Sequence, residues 1–245
     1  MAWLPKQNGC SCLGALIPNV GKAAKPKMRK ENRNSEHYFV ERPKSKLKLG
    51  IIHTYLRGKS FKFLTASGVF SKKRLDLGTR VLIESMILPE EGFVLDIGCG
   101  YGAVGIAAAT FNPKLHVIMV DVNERAVWLA KQNLELNNVT NAEVRKGYLY
   151  KPVENKLFNC ILSNPPVSAG MPTVKAIIAE APKHMTAKAT FQMVVRSKIW
   201  GKRLRTIFEE TFGNVRVSAI KSGYRVLMAE KHKLLLETHN KPKKA

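Results

Sequence analysis

"VLDIGCGYGAVG", residues 94–105, decides the fold of this 245-residue chain. Four residues that read as a buried strand run into alternate glycines, and small apolar residues follow at once. Gly98, Gly100 and Gly102 permit tight backbone turns and remove side chains where a ligand must approach. Strand, glycine turn and helix in that order open a βα unit. The N-terminus of that helix offers free N–H groups and positive potential to an anionic ligand group.

Outward from this turn the same alternation continues. "HVIMVDV" is a strand, "ERAVWLAKQNLELN" an amphipathic helix, and "AEVRKG" and "FNCILS" are further strands. "PTVKAIIAEAPKHM" reads as a helix that Pro182 kinks or ends. "ATFQMVVRS" and the helix "KRLRTIFEETF" follow. Near-continuous apolar strands alternating with helices call for an α/β fold, a doubly wound parallel sheet covered on both faces. The last two strands, "VRVSAIKSG" and "YRVLMAEK", are separated only around Gly223, which demands an antiparallel C-terminal hairpin.

The domain division expected is a basic disordered leader (1–35), a small N-terminal subdomain (36–92), the main domain (93–232) and a basic tail (233–245). Within the subdomain "FKFLTASGVFSKK" reads as a hairpin. "DLGTRVLIESMI" reads as a helix N-capped by Asp76. The leader lacks periodicity, and Met28 offers an alternative start.

Net charge is +23, from 41 Lys and Arg against 18 Asp and Glu. Such a field attracts polyanions, and nucleic acid is the commonest one inside cells. Cys10, Cys12, Cys99 and Cys160 form neither a metal nor a disulfide framework, and the six histidines show no ligand spacing. No apolar run is long enough to span a bilayer. The expectation is a cytoplasmic protein with no structural metal and no membrane contact.

Asp121 closes the strand after the glycine turn, where a carboxylate accepts hydrogen bonds from both hydroxyls of a ribose. Gly98-x-Gly100-x-x-Ala103 also satisfies a relaxed dinucleotide pattern, so the glycines alone admit a nicotinamide cofactor. Asp96 shifts the choice. A carboxylate before the turn opposes a pyrophosphate but suits S-adenosylmethionine, which carries an ammonium and a sulfonium.

"NCILSNPPVSAG", residues 159–170, points the same way. A buried strand ends on Asn164-Pro165-Pro166, where proline rings fix φ and restrict the residue before each of them. So stiff a corner presents carbonyl oxygens and an Asn amide in set directions. It suits holding an N–H-bearing group still, beside the same crevice.

"VLDIGCGYG", "VDVNERAV" and "SNPPVSAG" together resemble class I S-adenosylmethionine-dependent methyltransferases. "LTASGVFSKKRLDLGTRVLIESM" upstream is similar to the "methyltransferase small" family, which includes ribosomal small-subunit guanine-N2 methyltransferases and archaeal single-domain relatives. The resemblance covers roughly residues 36–231. It implies a Rossmann-like sheet of seven strands with the last antiparallel. It implies Asp96, Gly98, Gly100 and Gly102 around the methionine moiety, Asp121 on the ribose and Asn123 on the adenine side. Phe70 and Ser71, with Asp76 and Thr79, would wall the cofactor. Tyr148 stands where many relatives carry an acid near the adenine amine, to stack or merely to pack.

In the Asn-Pro-Pro aminomethyltransferases the Asn oxygen and the next carbonyl accept two hydrogen bonds from an exocyclic –NH2. Asn164, Pro165 and Pro166 are the catalytic expectation on that ground. Val167 departs from the usual aromatic residue and removes a stacking platform there. "KSKLKLGIIHTYLRGKSFKF", residues 44–63, interleaves cations with Tyr55, Phe61 and Phe63, the mixture that RNA binding uses. Arg57, Lys59 and Val167 are the substrate-side candidates. The implied activity is N-methylation of an exocyclic amine of an RNA base, guanine N2 of ribosomal RNA foremost, with RNA or a ribosomal particle as partner. Rivals are methylation of a protein glutamine or a small amine, a catalytically idle RNA-binding protein, and a nicotinamide-dependent oxidoreductase.

Overall fold

The computed structural model describes residues 41–43, 45–71, 73–165 and 170–232. The expected leader and tail, Cys10 and Cys12, Pro166 and Val167 lie outside the described residues. Seven strands form one sheet: β3 (Gly92–Ile97), β4 (Leu115–Asp121), β5 (Ala142–Lys146), β6 (Phe158–Ser163), β7 (Met185–Arg196), β8 (Arg216–Lys221) and β9 (Tyr224–Glu230). Their order is β5-β4-β3-β6-β7-β9-β8. The first five run parallel, and β9 lies antiparallel between β7 and β8. The strand order reverses between β3 and β6. In doubly wound sheets a crevice opens at that point, beyond the carboxyl ends of the strands.

Among the described residues five α-helices flank the sheet: α1 (Leu77–Ser85), α2 (Ala103–Phe111), α3 (Glu124–Leu136), α4 (Gly170–Glu180) and α5 (Ser197–Phe212). Strand alternation splits the core in two. Val94, Val117, Met119 and Leu162 face α1, α2 and α3, whereas Leu95, Ile118, Ile161 and Phe191 face α4 and α5. The same period-2 rule turns Asp96 toward the α2 side. Helix α4 stops at Glu180, and a 3-10 turn over Ala181–His184 carries Pro182, as proline's missing donor requires.

The N-terminal hairpin is not where the sequence pattern suggested. Its strands are β1 (Leu49–Leu56) and β2 (Lys59–Ala66), so "FKFLTA" is the second arm and the rest of that segment is connection. Arg57 and Gly58, both with positive φ, form the two-residue turn, a geometry that matches strand twist. The outer edge of β2 is held by α3. Asn133 accepts from Leu64 N at 2.6 Å and donates to Leu64 O at 2.9 Å; Asn137 does the same for Lys62 at 3.1 and 2.7 Å. Helical residues four apart share a face, so two Asn amides can satisfy one strand edge.

Two further side chains tie this part to the sheet. Buried Gln192 on β7 accepts from Ile87 N at 3.0 Å and donates to Ile87 O at 2.6 Å, anchoring the chain just past α1. The Arg125 guanidinium donates to Ser67 O at 2.6 Å and Ser45 O at 2.9 Å, clamping the entry and exit of the hairpin.

Candidate active site

Local chemistry shapes the glycine turn. Gly98 and Cys99 N–H donate to Val120 O at 2.9 and 3.0 Å, which folds the turn back over the end of β4. Gly98 and Gly100 have φ of +74° and +57°, and a Cβ on either would meet nothing within 4 Å. That open space is a cradle, shaped by the turn for something other than protein. Gly102 behaves differently. A Cβ there would lie 3.1 to 3.3 Å from Ile106, Ala130 and Met119, so it serves helix–sheet packing and does not line the cleft.

Two carboxylates face the cradle. Asp96, 1% exposed, accepts from Gly105 N at 2.9 Å. Burial pushes its carboxyl up to about 7, opposed by that N–H and reinforced by nearby Asp121. Asp121 accepts from Gly100 N at 2.8 Å and Asn123 N at 2.9 Å, and burial raises it too. A buried acid and a part-buried one at the edge of an open cradle favour a cationic group placed beside them.

The corner at the end of β6 faces the same opening. Asn164 Nδ2 donates to Thr79 Oγ1 at 2.8 Å and to Asp76 Oδ2 at 3.3 Å. Asp76 in turn caps α1, accepting from Thr79 N at 3.0 Å. The opposite amide orientation would set Asn164 Oδ1 against a carboxylate, so these contacts fix which end of the amide is which. Its carbonyl oxygen is left for the cleft, which Asn164 lines. Ser163, just before, donates to Ile97 O at 3.0 Å and locks the ends of β6 and β3 together.

Val69, Phe70, Thr79, Asp96, Gly98, Gly100, Asp121, Tyr148 and Asn164 all line this cleft of about 1160 Å³, its solvent mouth included. Tyr148 is 49% exposed, so its ring stands at the mouth rather than in the core. The sequence reading missed Thr173 and Ile177 of α4 on the far wall, and Tyr101 inside the turn. Nothing local marks the α4 pair, since only tertiary packing turns that helix face toward the sheet ends.

Besides Gly102, three expected site residues do other work. Asn123 is fully buried, N-caps α3 by accepting from Arg125 N and Ala126 N, and donates to Gly68 O. An adenine contact has no access to it. Lys59 Nζ donates to Thr110 O at 2.7 Å, and the Arg57 guanidinium donates to Met86 O and sits 4.8 Å over the Phe111 ring. Those carbonyls mark the C-terminal ends of α1 and α2, at the opposite end of the sheet from the cleft. Pro165 is buried.

The methyltransferase small domain model matches residues 60–228, more than half of the chain. This chain belongs to the methyltransferase small domain family. Among its relatives is the Bacillus subtilis uncharacterised protein YbxB, 40% identical over 199 residues, a match spanning 80% of this chain and 99% of YbxB. The Aeromonas hydrophila ribosomal RNA small subunit methyltransferase C is 34% identical over 68% of this chain and 48% of its own length. This methyltransferase therefore spans about half the length of that relative. Among solved structures, Thermus thermophilus 16S rRNA N2 G1207 methyltransferase, in complex with AdoMet and guanosine, superposes with a TM-score of 0.69. It is 25% identical, over 78% of this chain and 52% of that one. The doubly wound sheet and the methyltransferase assignment expected from the sequence both hold.

Proposed function

We propose that this methyltransferase modifies the exocyclic amine of an RNA base, guanine N2 of ribosomal RNA in the first instance. S-adenosylmethionine is the methyl donor. When bound it supplies a methyl on a positively charged sulfur, electrophilic enough to be taken by a nitrogen held in line. The cleft fits it: Gly98 and Gly100 leave a cradle that side chains would fill, and Asp96 and Asp121 supply the negative charge it requires.

The single observation carrying the reading is the tethered amide of Asn164. A conjugated amine is a poor nucleophile because its lone pair is delocalised into the base. Asn164 Oδ1 and the Pro165 carbonyl would accept hydrogen bonds from its two N–H groups, localise that lone pair and aim it. Holding a reacting atom in a near-attack geometry is worth on the order of 7–11 kcal/mol at best. No strong base is required, because the proton becomes acidic once the nitrogen carries the methyl and then leaves to water. The acceptor's identity as RNA is supported by the +23 charge and by the relatives named above.

Tritiated S-adenosylmethionine, offered with ribosomal RNA or with a protein extract, tests this. Label in RNA at guanine N2, lost in Asn164→Ala while cofactor affinity stays within about twofold, is the expected result. Label in protein, or a fully active Asn164→Ala, overturns it.

A further inference from the structure

The β1–β2 hairpin is two-faced, and the cleft uses neither face. Antiparallel pairing sets Ile52 opposite Phe63 and Thr54 opposite Phe61, and the apolar members of these pairs are buried. The alternate positions point outward. Leu49, Ile51 and Tyr55 are 52%, 60% and 64% exposed, and Leu47 just before the strand is 53% exposed. Exposed cations border this strip: Lys46 and Lys48 at its start, and Lys62 across from His53. Residues 45–66 contain no Asp or Glu.

Exposed apolar side chains in such a row, with His53 set between Ile51 and Tyr55, mark an interaction site, and the charge decides its occupant. A second copy of this chain would bring lysines against lysines. A single-stranded nucleic acid matches both features at once, with phosphates for the cations and flat bases for Tyr55 and the aliphatic strip. The geometry leads to the chemistry. Leu49 pairs with Ala66 at the end of β2, and Val69 and Phe70, a few residues on, line the cleft. Asn133, Asn137 and Arg125 already hold the hairpin rigid, so little ordering is left for a ligand to impose.

We infer that the outward face of this hairpin docks a single-stranded segment of the RNA substrate that runs from the cleft-side end at Leu49 toward Tyr55 near the tip. This rests on the reading of the cleft as an RNA methyltransferase site.

Two variants test it, Ile51→Ser/Tyr55→Ala and Lys46→Glu/Lys48→Glu/Lys62→Glu. All five side chains are exposed and none lines the cleft, so unchanged calorimetric binding of S-adenosylhomocysteine reports an intact fold. The probe is a fluorescein-labelled single-stranded RNA of roughly 12 nucleotides, titrated at several salt concentrations. The first variant should bind about tenfold more weakly with its salt dependence unchanged. The second should lose about two units of log K against log[salt] slope, at roughly 0.7 per phosphate. Variants that match the wild type in affinity and slope, while the wild type binds and methylates RNA, overturn the hairpin inference alone. A wild type that binds no RNA overturns both readings. A wild-type dimer abolished by Ile51→Ser/Tyr55→Ala, with RNA affinity unchanged, makes the face a subunit interface and also overturns the inference.

Discussion

Asp96 is held in the fold against its own charge. Its carboxyl moves from 3.8 to about 7, chiefly because burial penalises the ionised form. A raised acid binds more protons folded than unfolded between those two values, so stability declines as pH rises from about 4 to about 7. The shift corresponds to on the order of 4 kcal/mol, at about 1.4 kcal/mol per unit. Asp96→Asn should therefore raise the melting temperature of the cofactor-free protein by several degrees at pH 8 and hardly at all near pH 4. The same variant should weaken cofactor binding at least tenfold, roughly the loss of one charge-assisted contact. Melting curves at the two pH values and calorimetry check both halves. Asp76 accepts a hydrogen bond from the Asn164 amide, and the proposed role of Asn164 extends to it. Asp76→Asn keeps a good N-cap but lets the Asn164 amide turn over. Methyl transfer in single-turnover assays should fall about 10- to 100-fold, the worth of one hydrogen bond to a charged group. Cofactor affinity should stay put. That Asp96, Asp121, Gly98, Gly100 and Asn164 share one cleft was legible because each is a residue type whose chemistry is local, whereas the packing role of Gly102 was not. The role of Asn123 was not, because an N-cap and a ligand contact draw on the same side-chain oxygen, and only burial tells them apart.

At the scale of elements, one helix face explains why the hairpin stays in place. Asn133 is fully buried and bonds Leu64 N, Leu64 O and Tyr101 O, at 2.6, 2.9 and 2.9 Å. Asn133→Ala strands these buried and part-buried groups, and each one left unsatisfied away from water costs about 1–3 kcal/mol. A loss of at least about 3 kcal/mol in urea denaturation is expected, with faster amide exchange at Leu64 than in β3. Strand and helix types in the main domain followed from periodicity. The hairpin did not, because β1 alternates around polar His53 and Thr54 and reads weakly by itself. Its identity as a strand comes from pairing with β2, a non-local contact.

At the scale of the whole molecule, the excess of cations bears on the proposed RNA binding. RNA binding should be strongly salt-dependent, with log K falling linearly against log[salt] at roughly 0.7 per phosphate neutralised on a single strand. Titrations from low to physiological salt measure it, and a flat response would exclude phosphate contacts. The total charge is a property of composition and needed no coordinates. Which cations face a substrate was another matter. Arg57 and Lys59 bind helix-end carbonyls and Phe61 and Phe63 are core, while Tyr55, Ile51 and the neighbouring lysines look outward. Sequence alone determined the βα alternation, the glycine turn with its acids and the rigid corner after β6. Each of these depends on backbone restriction or period, and both act between neighbours in the chain. Tertiary structure alone decided the facing of the hairpin, the tether on Asn164 and the far wall from α4. Those depend on partners distant along the chain, brought within hydrogen-bond or contact range only when the sheet closes its core.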